Sequence, residues 1–170
     1  MNISKLTKSD LNEAKIFMLK IIKEDFGYDY NPEWHKDISF MENIYLLNKR
    51  SCFFIAKDEG KIIGTIAARP YDKKYPKFID LYKADDTLSV WRHYIKKEMR
   101  GMGIGSKLFN ETENFAKKLG YKKFYLHTQK TIPGSMEYWM SKGFSIIHEE
   151  DDQFRTVHME KKLYQNFIKG

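Results

Sequence analysis

Apolar residues in the first part of the chain recur at the three- and four-residue spacing of amphipathic helices. Ser9 is a predicted N-cap, and the helical pattern that follows it runs to Ile22. Gly27 is predicted to end this helix, because glycine favours the left-handed backbone of a C-terminal cap. Pro32 suits the first turn of a second helix. A short strand is predicted before both helices, over residues 2–6.

The centre of the chain carries short runs of β-branched and aromatic residues instead. The runs Cys52–Ala56 and Ile62–Ala67 flank Asp58-Glu59-Gly60-Lys61, so we expect a hairpin. A further strand is predicted over Leu88–Ile95. The intervening stretch Tyr71–Asp86 has little pattern, and we expect a loop there.

The last part of the chain alternates between the two patterns. A helix is predicted to begin at Ile104 and to end at Gly120, and a strand follows over Lys123–Thr128. A short helix is predicted over Pro133–Lys142. The last predicted elements are two strands, Phe144–His148 and Phe154–Met159.

This order of elements, β-α-α-β-β-β-α-β-α-β-β, predicts an α/β fold built on one mixed sheet. The strand–helix–strand unit over residues 88–128 implies two parallel strands joined by a crossover helix. The predicted hairpins place antiparallel strands elsewhere in the same sheet.

Composition narrows the class of protein further. A chain of 170 residues that is 42% hydrophobic is expected to form one domain, over residues 1–170, around one core. The apolar runs are too short for a membrane span, and Met1–Lys5 lacks the apolar segment of a secretory signal. The single cysteine, Cys52, excludes an internal disulfide and suits a reducing compartment. We therefore expect a cytoplasmic protein with no membrane partner.

The most distinctive motif is a glycine-rich loop between a predicted strand and a predicted helix, Arg100-Gly101-Met102-Gly103-Ile104-Gly105. Glycine reaches positive φ at little steric cost, so successive amides can turn toward one point. A helix that begins there adds unpaired N–H groups and partial positive charge. The loop therefore predicts a phosphate or pyrophosphate site. Its spacing fits neither a dinucleotide fingerprint nor a P-loop.

Further blocks stand in register with this loop. Ile95–Leu108 is similar to the strand and acetyl-CoA loop of the GNAT superfamily of N-acetyltransferases, and Leu126-His127-Thr128 is similar to its following strand. Tyr138–Phe144 is similar to its aromatic-x-x-x-Gly-Phe segment. The chain thus resembles that superfamily in detail over Leu88–Phe144. The resemblance implies a single-domain fold with a largely antiparallel sheet of six to seven strands, splayed between its two parallel strands, and helices on both faces.

The resemblance also implies acetyl-CoA as co-substrate and no metal. The strand backbone would bind the pantetheine arm, and the loop amides would bind the pyrophosphate. Arg100 would shape the loop or neutralise phosphate charge. The acetyl group would lie where the parallel strands part and a strand N–H stabilises the oxyanion. The implied cofactor-binding residues are His93, Tyr94, Ile95, Arg100, Gly101, Met102, Gly103, Ile104, Gly105 and Ser106.

The catalytic positions depart from the common family pattern. An amine acceptor needs a base, because a lysine-like amine is neutral in only about one part in 10³ at pH 7. His127 stands where ribosomal-protein N-terminal acetyltransferases carry a catalytic glutamate, and histidine titrates near neutrality; His93 is a second candidate. Trp139 occupies the position of the family's acidic tyrosine but has no transferable proton, so we expect it to pack against acetyl-CoA. Its neighbour Tyr138 is an alternative acid.

The predicted reaction is acetyl transfer to a primary amine of a small molecule or peptide, by direct attack with general-base assistance. A non-catalytic acyl-CoA sensor is the alternative. Glu24, Asp25 and Tyr28 offer acidic and aromatic groups to a cationic amine, unless they only pack at a helix end. The formal charge of +7 suits an anionic partner or a lysine-rich surface, and without a recognised motif we expect no nucleic acid. A homodimer is left open.

Overall fold

The computed structural model describes residues 1–73 and 75–164; residues 165–170 of the predicted domain and Lys74 of the predicted loop lie outside them. The described chain follows the predicted order of elements. The strands are β1 (Asn2–Lys5), β2 (Cys52–Asp58), β3 (Lys61–Pro70), β4 (Thr87–Ile95), β5 (Lys123–Gln129), β6 (Ser145–Glu149) and β7 (Thr156–Lys162). The helices are α1 (Leu11–Phe26), α2 (Lys36–Ser39), α3 (Ile104–Lys118) and α4 (Ser135–Ser141).

The strands form one seven-stranded sheet in the order β1-β2-β3-β4-β5-β7-β6. Antiparallel pairs join β1 to β2, β2 to β3, β5 to β7 and β6 to β7. The parallel pair is β4 with β5, which join over Thr87–Ser89 and Lys123–Tyr125. The predicted mixed, largely antiparallel sheet is confirmed, with α3 as the crossover between the parallel strands.

The predicted start of the first helix is wrong by one residue, because the N-cap of α1 is Asp10. Ser9 is not an N-cap but lies inside a single 3₁₀ turn that precedes α1. The Asp10 carboxylate instead accepts hydrogen bonds from the backbone N–H of Thr7, at 2.9 Å, and from its hydroxyl, at 2.6 Å. Because Asp10 reaches back to Thr7, the chain turns once before the α-helix begins. Gly27 ends that helix with φ 73°, as predicted.

The second predicted helix is also wrong at its start. Pro32 lies in a turn that precedes α2. The side-chain oxygen of Asn31 accepts hydrogen bonds from the N–H groups of Glu33, at 2.9 Å, and Trp34, at 3.0 Å. These side-chain bonds compete with helical pairing. After α2 the chain forms one π-helical turn over Glu42–Leu46 in place of a continuous helix.

The first compact unit contains Met1–Arg69 and Trp91–Phe115. Its packing places the glycine-rich loop, because Gly64 in β3 allows two other elements to come close. A Cβ at Gly64 would lie 2.9 Å from the side chain of Ile95 in β4 and 3.1 Å from that of Leu108 in α3. The buried core of this unit comprises Leu6, Ala14, Met18, Ile22, Ile38, Met41, Tyr45, Phe53, Ile55, Ile62 and Ala67.

The second compact unit contains the described residues of Pro70–Val90 and Ala116–Gly170. Part of its core is a group of aromatic rings that packs on β5. The ring of Tyr125 lies 5.1 Å from that of Tyr71 and 5.2 Å from that of Tyr82, centroid to centroid. The buried members of this aromatic cluster are Tyr71, Phe78, Tyr82 and Tyr125.

Cys52 is a buried core residue of β2, and burial raises the pKa of its thiol. Within residues 1–73 and 75–164, the helices are too short or too polar to cross a bilayer.

Candidate active site

The glycine-rich loop is open and exposed. Gly101 and Gly103 have φ of 77° and 78°, in the left-handed region that other residues rarely adopt. A Cβ added at either position would meet no atom within 4 Å. The backbone conformation, and not packing, therefore requires glycine at both positions. Met102 between them is 62% exposed.

The loop leads directly into α3. Ile104 is buried and anchors the start of the helix, while Gly105 and Ser106 are half-buried. The N–H of Lys107 donates to the carbonyl of Gly103 at 3.1 Å and so closes the first turn. The amides of the residues before Lys107 have no partner within an α-helix. They are the groups that would bind an anion at this end of α3.

His93 links β4 to this first turn. Its Nε2 lies 3.1 Å from the carbonyl oxygen of Gly105. A carbonyl only accepts, so the imidazole donates from Nε2 in this arrangement. His93 thereby helps to position the first turn of α3, and Nε2 is committed to that contact.

The Arg100 side chain contacts both the end of β4 and α1. Its Nε donates to the carbonyl of Ile95 at 2.9 Å, across the chain segment that joins β4 to the loop. Its guanidinium also forms an ion pair with Asp25, in the last turn of α1. Asp25, which the sequence offered as a substrate-binding acid, thus contacts the loop arginine in the structure.

The other two predicted substrate residues lie at the same end of α1. Glu24 forms a salt bridge with Lys20 at 3.8 Å. The ring of Tyr28 packs edge-on against Trp34, with 5.8 Å between the centroids. Their proposed contact with an amine stays a prediction.

A left-handed residue interrupts β4 just before the predicted pantetheine-binding segment. Arg92 has φ 51°, which is uncommon for a residue with a long side chain. Its carbonyl accepts a hydrogen bond from the Thr65 hydroxyl at 2.8 Å. Its guanidinium donates to both oxygens of Asp37, at 2.6 and 3.0 Å, and to the carbonyl of Trp34 at 2.9 Å. These contacts fix the backbone from which residues 93–95 continue.

Asp37 is the centre of a mostly buried polar cluster. Besides Arg92 it accepts a hydrogen bond from the Tyr45 hydroxyl at 2.8 Å, and Arg69 lies 3.5 Å away. Burial alone would raise the pKa of the Asp37 carboxyl, but the hydrogen bonds and charges of the two arginines outweigh it and hold that pKa below its usual value. No local sequence pattern predicts this cluster, because its residues lie far apart along the chain.

In the second unit, the candidate base His127 lines a cavity of about 380 Å³. The aromatic rings of Tyr75 and Phe154 also line it. The turn between β6 and β7 contributes carboxylates to the same cavity, among them Glu150 and Asp151. The cavity therefore combines a titratable nitrogen, aromatic surface and negative charge.

A buried histidine supports one wall of this cavity. His158 is opposite His127 in the β5–β7 pair and is 1% exposed. Its Nδ1 lies 2.7 Å from the Tyr125 hydroxyl, and its Nε2 lies 3.0 Å from Glu150. Lys77 donates to the same Glu150 oxygen at 2.7 Å. Burial lowers the pKa of His158, so the neutral imidazole is favoured, with Nε2 donating to the carboxylate.

Trp139 and Tyr138 lie in α4. Trp139 is buried, with its ring 5.3 Å from Phe144 and 5.0 Å from Tyr138. Tyr138 is half-buried, and the ammonium of Lys142 lies 5.4 Å from its ring. The contacts of Trp139 are those of a packing residue, and the catalytic roles of both side chains stay predictions.

Comparison with known proteins finds a matching family model and similar curated proteins. The model of the Acetyltransferase (GNAT) family matches residues 16–144. N-acetyltransferase 8B of Homo sapiens is 31% identical over 108 residues, which are 64% of this chain and 44% of the relative. The chain spans about half the length of the curated relatives it matches.

Solved structures share the fold. A GNAT-family acetyltransferase from Staphylococcus aureus Mu50 superposes with a TM-score of 0.77 at 20% identity, covering 96% of this chain and 99% of that one. The PaiA N-acetyltransferase of Thermoplasma acidophilum, solved in complex with coenzyme A, gives a TM-score of 0.69 at 22% identity over 95% and 98% of the two chains.

Proposed function

Because this chain belongs to the GNAT acetyltransferase family, we propose that it transfers the acetyl group of acetyl-CoA to a primary amine of a small molecule or peptide. The observation that carries the proposal is the exposed loop with left-handed Gly101 and Gly103, which opens directly into α3. That loop leaves room for a diphosphate against the backbone. A structure of the PaiA N-acetyltransferase holds coenzyme A, which supports the same ligand here.

The residues of the first unit would bind the cofactor. The amides of Gly101–Ser106 would donate to the pyrophosphate, and the helix dipole of α3 adds to the attraction. The backbone of residues 93–95 would bind the pantetheine arm as an added strand does. Arg100, held by Ile95 and Asp25, keeps the loop in the shape that presents its amides.

We assign the role of general base to His127. His127 takes the proton of the acceptor ammonium, and the neutral nitrogen then attacks the thioester carbonyl. A new C–N bond forms, the C–S bond breaks, and coenzyme A leaves as its thiolate. The nitrogen loses its second proton as the neutral amide forms, and the thiolate takes up a proton from solvent. A well-placed base contributes about 10²–10⁴-fold to the rate. Trp139 has no proton to give to the thiolate, so we assign it to packing and not to acid catalysis.

A thiol-release assay across a panel of primary amines tests this proposal. Coenzyme A released only when protein, acetyl-CoA and an amine are all present is the expected result. The alternative is an acyl-CoA sensor, suggested by Trp139 in place of a tyrosine. Binding of acetyl-CoA without release of thiol for any amine would favour the sensor and contradict catalysis.

A further inference from the structure

Arg92 has a left-handed backbone inside β4, immediately before the proposed pantetheine-binding segment, residues 93–95. We propose that Asp37 of α2 is a positioning residue for acetyl-CoA, because its ion pair with Arg92 keeps that backbone in place. The inference rests on the proposed function, since the segment has this role only if the chain binds acetyl-CoA. Asp37 would not touch the cofactor and would act through Arg92.

The backbone conformation of Arg92 costs free energy. In the left-handed region the Cβ of an L-residue lies too close to the following carbonyl oxygen, a contact that glycine avoids. Glu59 and Arg155, the other left-handed residues besides glycine in the described chain, lie in connections between strands. Arg92 lies within a strand, where the neighbouring residues are extended. Such a conformation persists only where the surrounding contacts hold it.

Buried contacts of the Arg92 side chain hold it in this conformation. Its guanidinium binds both oxygens of Asp37, and the two side chains are only 10% and 6% exposed. Such a pair is screened much less than a surface ion pair. The same guanidinium donates to the carbonyl of Trp34 at 2.9 Å and to the hydroxyl of Tyr94 at 3.3 Å. Because Trp34 and Asp37 lie just before and within α2, this part of the chain determines where the arginine side chain lies.

Hydrogen bonds to β3 fix the backbone on both sides of the pantetheine-binding segment. Before it, the carbonyl of Arg92 accepts from the hydroxyl of Thr65 at 2.8 Å. After it, the N–H of Lys96 donates to the carbonyl of Ile63 at 2.9 Å. A left-handed residue in a strand changes the direction of the groups that follow it, as β-bulges do beside binding sites. The conformation of Arg92 therefore determines where the amides and carbonyls of residues 93–95 point.

Calorimetric titration of acetyl-CoA into Arg92→Ala and Arg92→Gly tests the inference. Both substitutions remove the ion pair, but only glycine adopts the left-handed backbone without a Cβ penalty. Arg92→Ala is expected to bind at least about fivefold more weakly than the wild type, because its backbone relaxes and binding must restore the left-handed conformation. Arg92→Gly should bind within about twofold of the wild type. Asp37→Asn should weaken binding as Arg92→Ala does, and the double variant of Asp37→Asn with Arg92→Gly should bind like Arg92→Gly.

Tyr45→Phe is the matched control. It removes a hydrogen bond from Asp37 and leaves the contacts of Arg92 in place. It should lower the free energy of unfolding in urea and change the affinity for acetyl-CoA by less than about twofold. A role of the cluster in stability alone would give the same pattern in Asp37→Asn.

Thr65→Val tests the inference even if Arg92→Ala or Asp37→Asn does not fold. Valine has nearly the shape of threonine but no hydroxyl to donate to the Arg92 carbonyl. Thr65→Val is expected to weaken acetyl-CoA binding by about threefold, the range of one hydrogen bond. That loss should disappear in the Arg92→Gly background, because glycine does not need the contact to stay left-handed.

Equal affinities of Arg92→Ala and Arg92→Gly would overturn the inference. So would a loss of affinity in Tyr45→Phe as large as that in Asp37→Asn, or a loss in Thr65→Val that glycine at position 92 does not remove. Failure of the proposed function has a different signature. No binding of acetyl-CoA by the wild type would end both, whereas binding without thiol release for any amine would end catalysis alone, and the alanine and glycine variants would still decide the role of Asp37.

Discussion

Arg100, at the start of the glycine-rich loop, forms an ion pair with Asp25 in the last turn of α1. The pair is partly exposed, with 44% of the arginine side chain and 17% of the aspartate side chain accessible. The Arg100 side chain also donates a hydrogen bond to the Ile95 carbonyl, so the first residue of the loop is held by contacts with both β4 and α1. The ion pair thus makes an acid of α1 a positioning residue for the predicted cofactor loop.

Replacing Asp25 with Asn is expected to weaken acetyl-CoA binding by about fivefold, the upper range for an exposed pair, because Arg100 loses its orientation. Glu24→Gln is the matched control, since it removes the same charge from the neighbouring position. The Asp25→Asn effect should vanish in an Arg100→Met background. Isothermal titration measures all the variants, and tighter binding by Asp25→Asn would argue against a positioning role.

Asp37→Asn is expected to destabilise the protein by about 3–5 kcal/mol, because it leaves two arginines beside a neutral, buried amide. Asp29→Asn breaks the exposed pair with Lys23 and should cost less than about 1 kcal/mol. Urea denaturation at pH 7 compares the two. Equal losses would show that the buried cluster contributes no more than a surface pair.

The Asp37 carboxyl also makes the free energy of unfolding depend on pH. The pKa of Asp37 is lowered in the folded protein, whereas the unfolded chain binds that proton near pH 3.9. Its contribution is therefore complete above about pH 4 and is lost as the pH falls through the lowered folded pKa. In Asp37→Asn the free energy of unfolding should fall less steeply below pH 4 than in the wild type.

His158 predicts a second pH effect, in a different range. Burial lowers its pKa in the folded state, while the unfolded chain takes up the proton near pH 6.5. The unfolded state thus binds more protons as the pH falls below about 6.5, and stability decreases from there toward the folded pKa. In His158→Gln the free energy of unfolding, measured with urea, should change less between pH 7.5 and pH 5 than it does in the wild type. His148→Gln, at a 40% exposed side chain, is the comparison variant and should reduce the slope less, because the charge of His148 is only a minor cause of the lowered pKa of His158.

His127→Gln is expected to lower kcat by about 10²-fold or more with acetyl-CoA affinity unchanged, because only proton removal is lost. Tyr138→Phe should change kcat by less than about tenfold, below the range of a general acid. Steady-state kinetics with thiol detection, together with titration of acetyl-CoA, measures both variants. Normal turnover by His127→Gln would show that another residue is the base. A large loss of kcat in Tyr138→Phe would show that Tyr138 acts as the acid.

The fold and the loop could be predicted because their signals are local. Hydrophobic spacing located the strands and helices, and glycines that the structure shows at positive φ, such as Gly27, Gly60 and Gly120, marked the ends of elements. The glycine-rich loop follows a strand and opens a helix, so its place in the fold was fixed by its neighbours. Hydrogen bonds between side chains and backbone at Thr7–Asp10 and at Asn31 explain why two helices begin later than predicted.

The supporting contacts could not be predicted, because they depend on tertiary packing. Arg92 and Asp37 are 55 positions apart, and nothing in the pattern around either residue indicates the other. His158 is buried because β7 pairs with both β5 and β6. The sequence order of the last two strands does not reveal that placement. Position on the sheet, and not residue type, therefore separates His158 from the more exposed His148.

The most direct test of the central claim is calorimetric titration of acetyl-CoA into the wild type, Gly103→Val and Gly60→Val. Gly60 in the β2–β3 turn has φ 77° and, like Gly103, open space for a Cβ, so both substitutions impose the same backbone strain of about 1–3 kcal/mol. The account predicts binding by the wild type and by Gly60→Val, and at least about tenfold weaker binding by Gly103→Val. No binding by the wild type, or equal affinities for the two variants, would contradict the assignment of the loop to the diphosphate of acetyl-CoA.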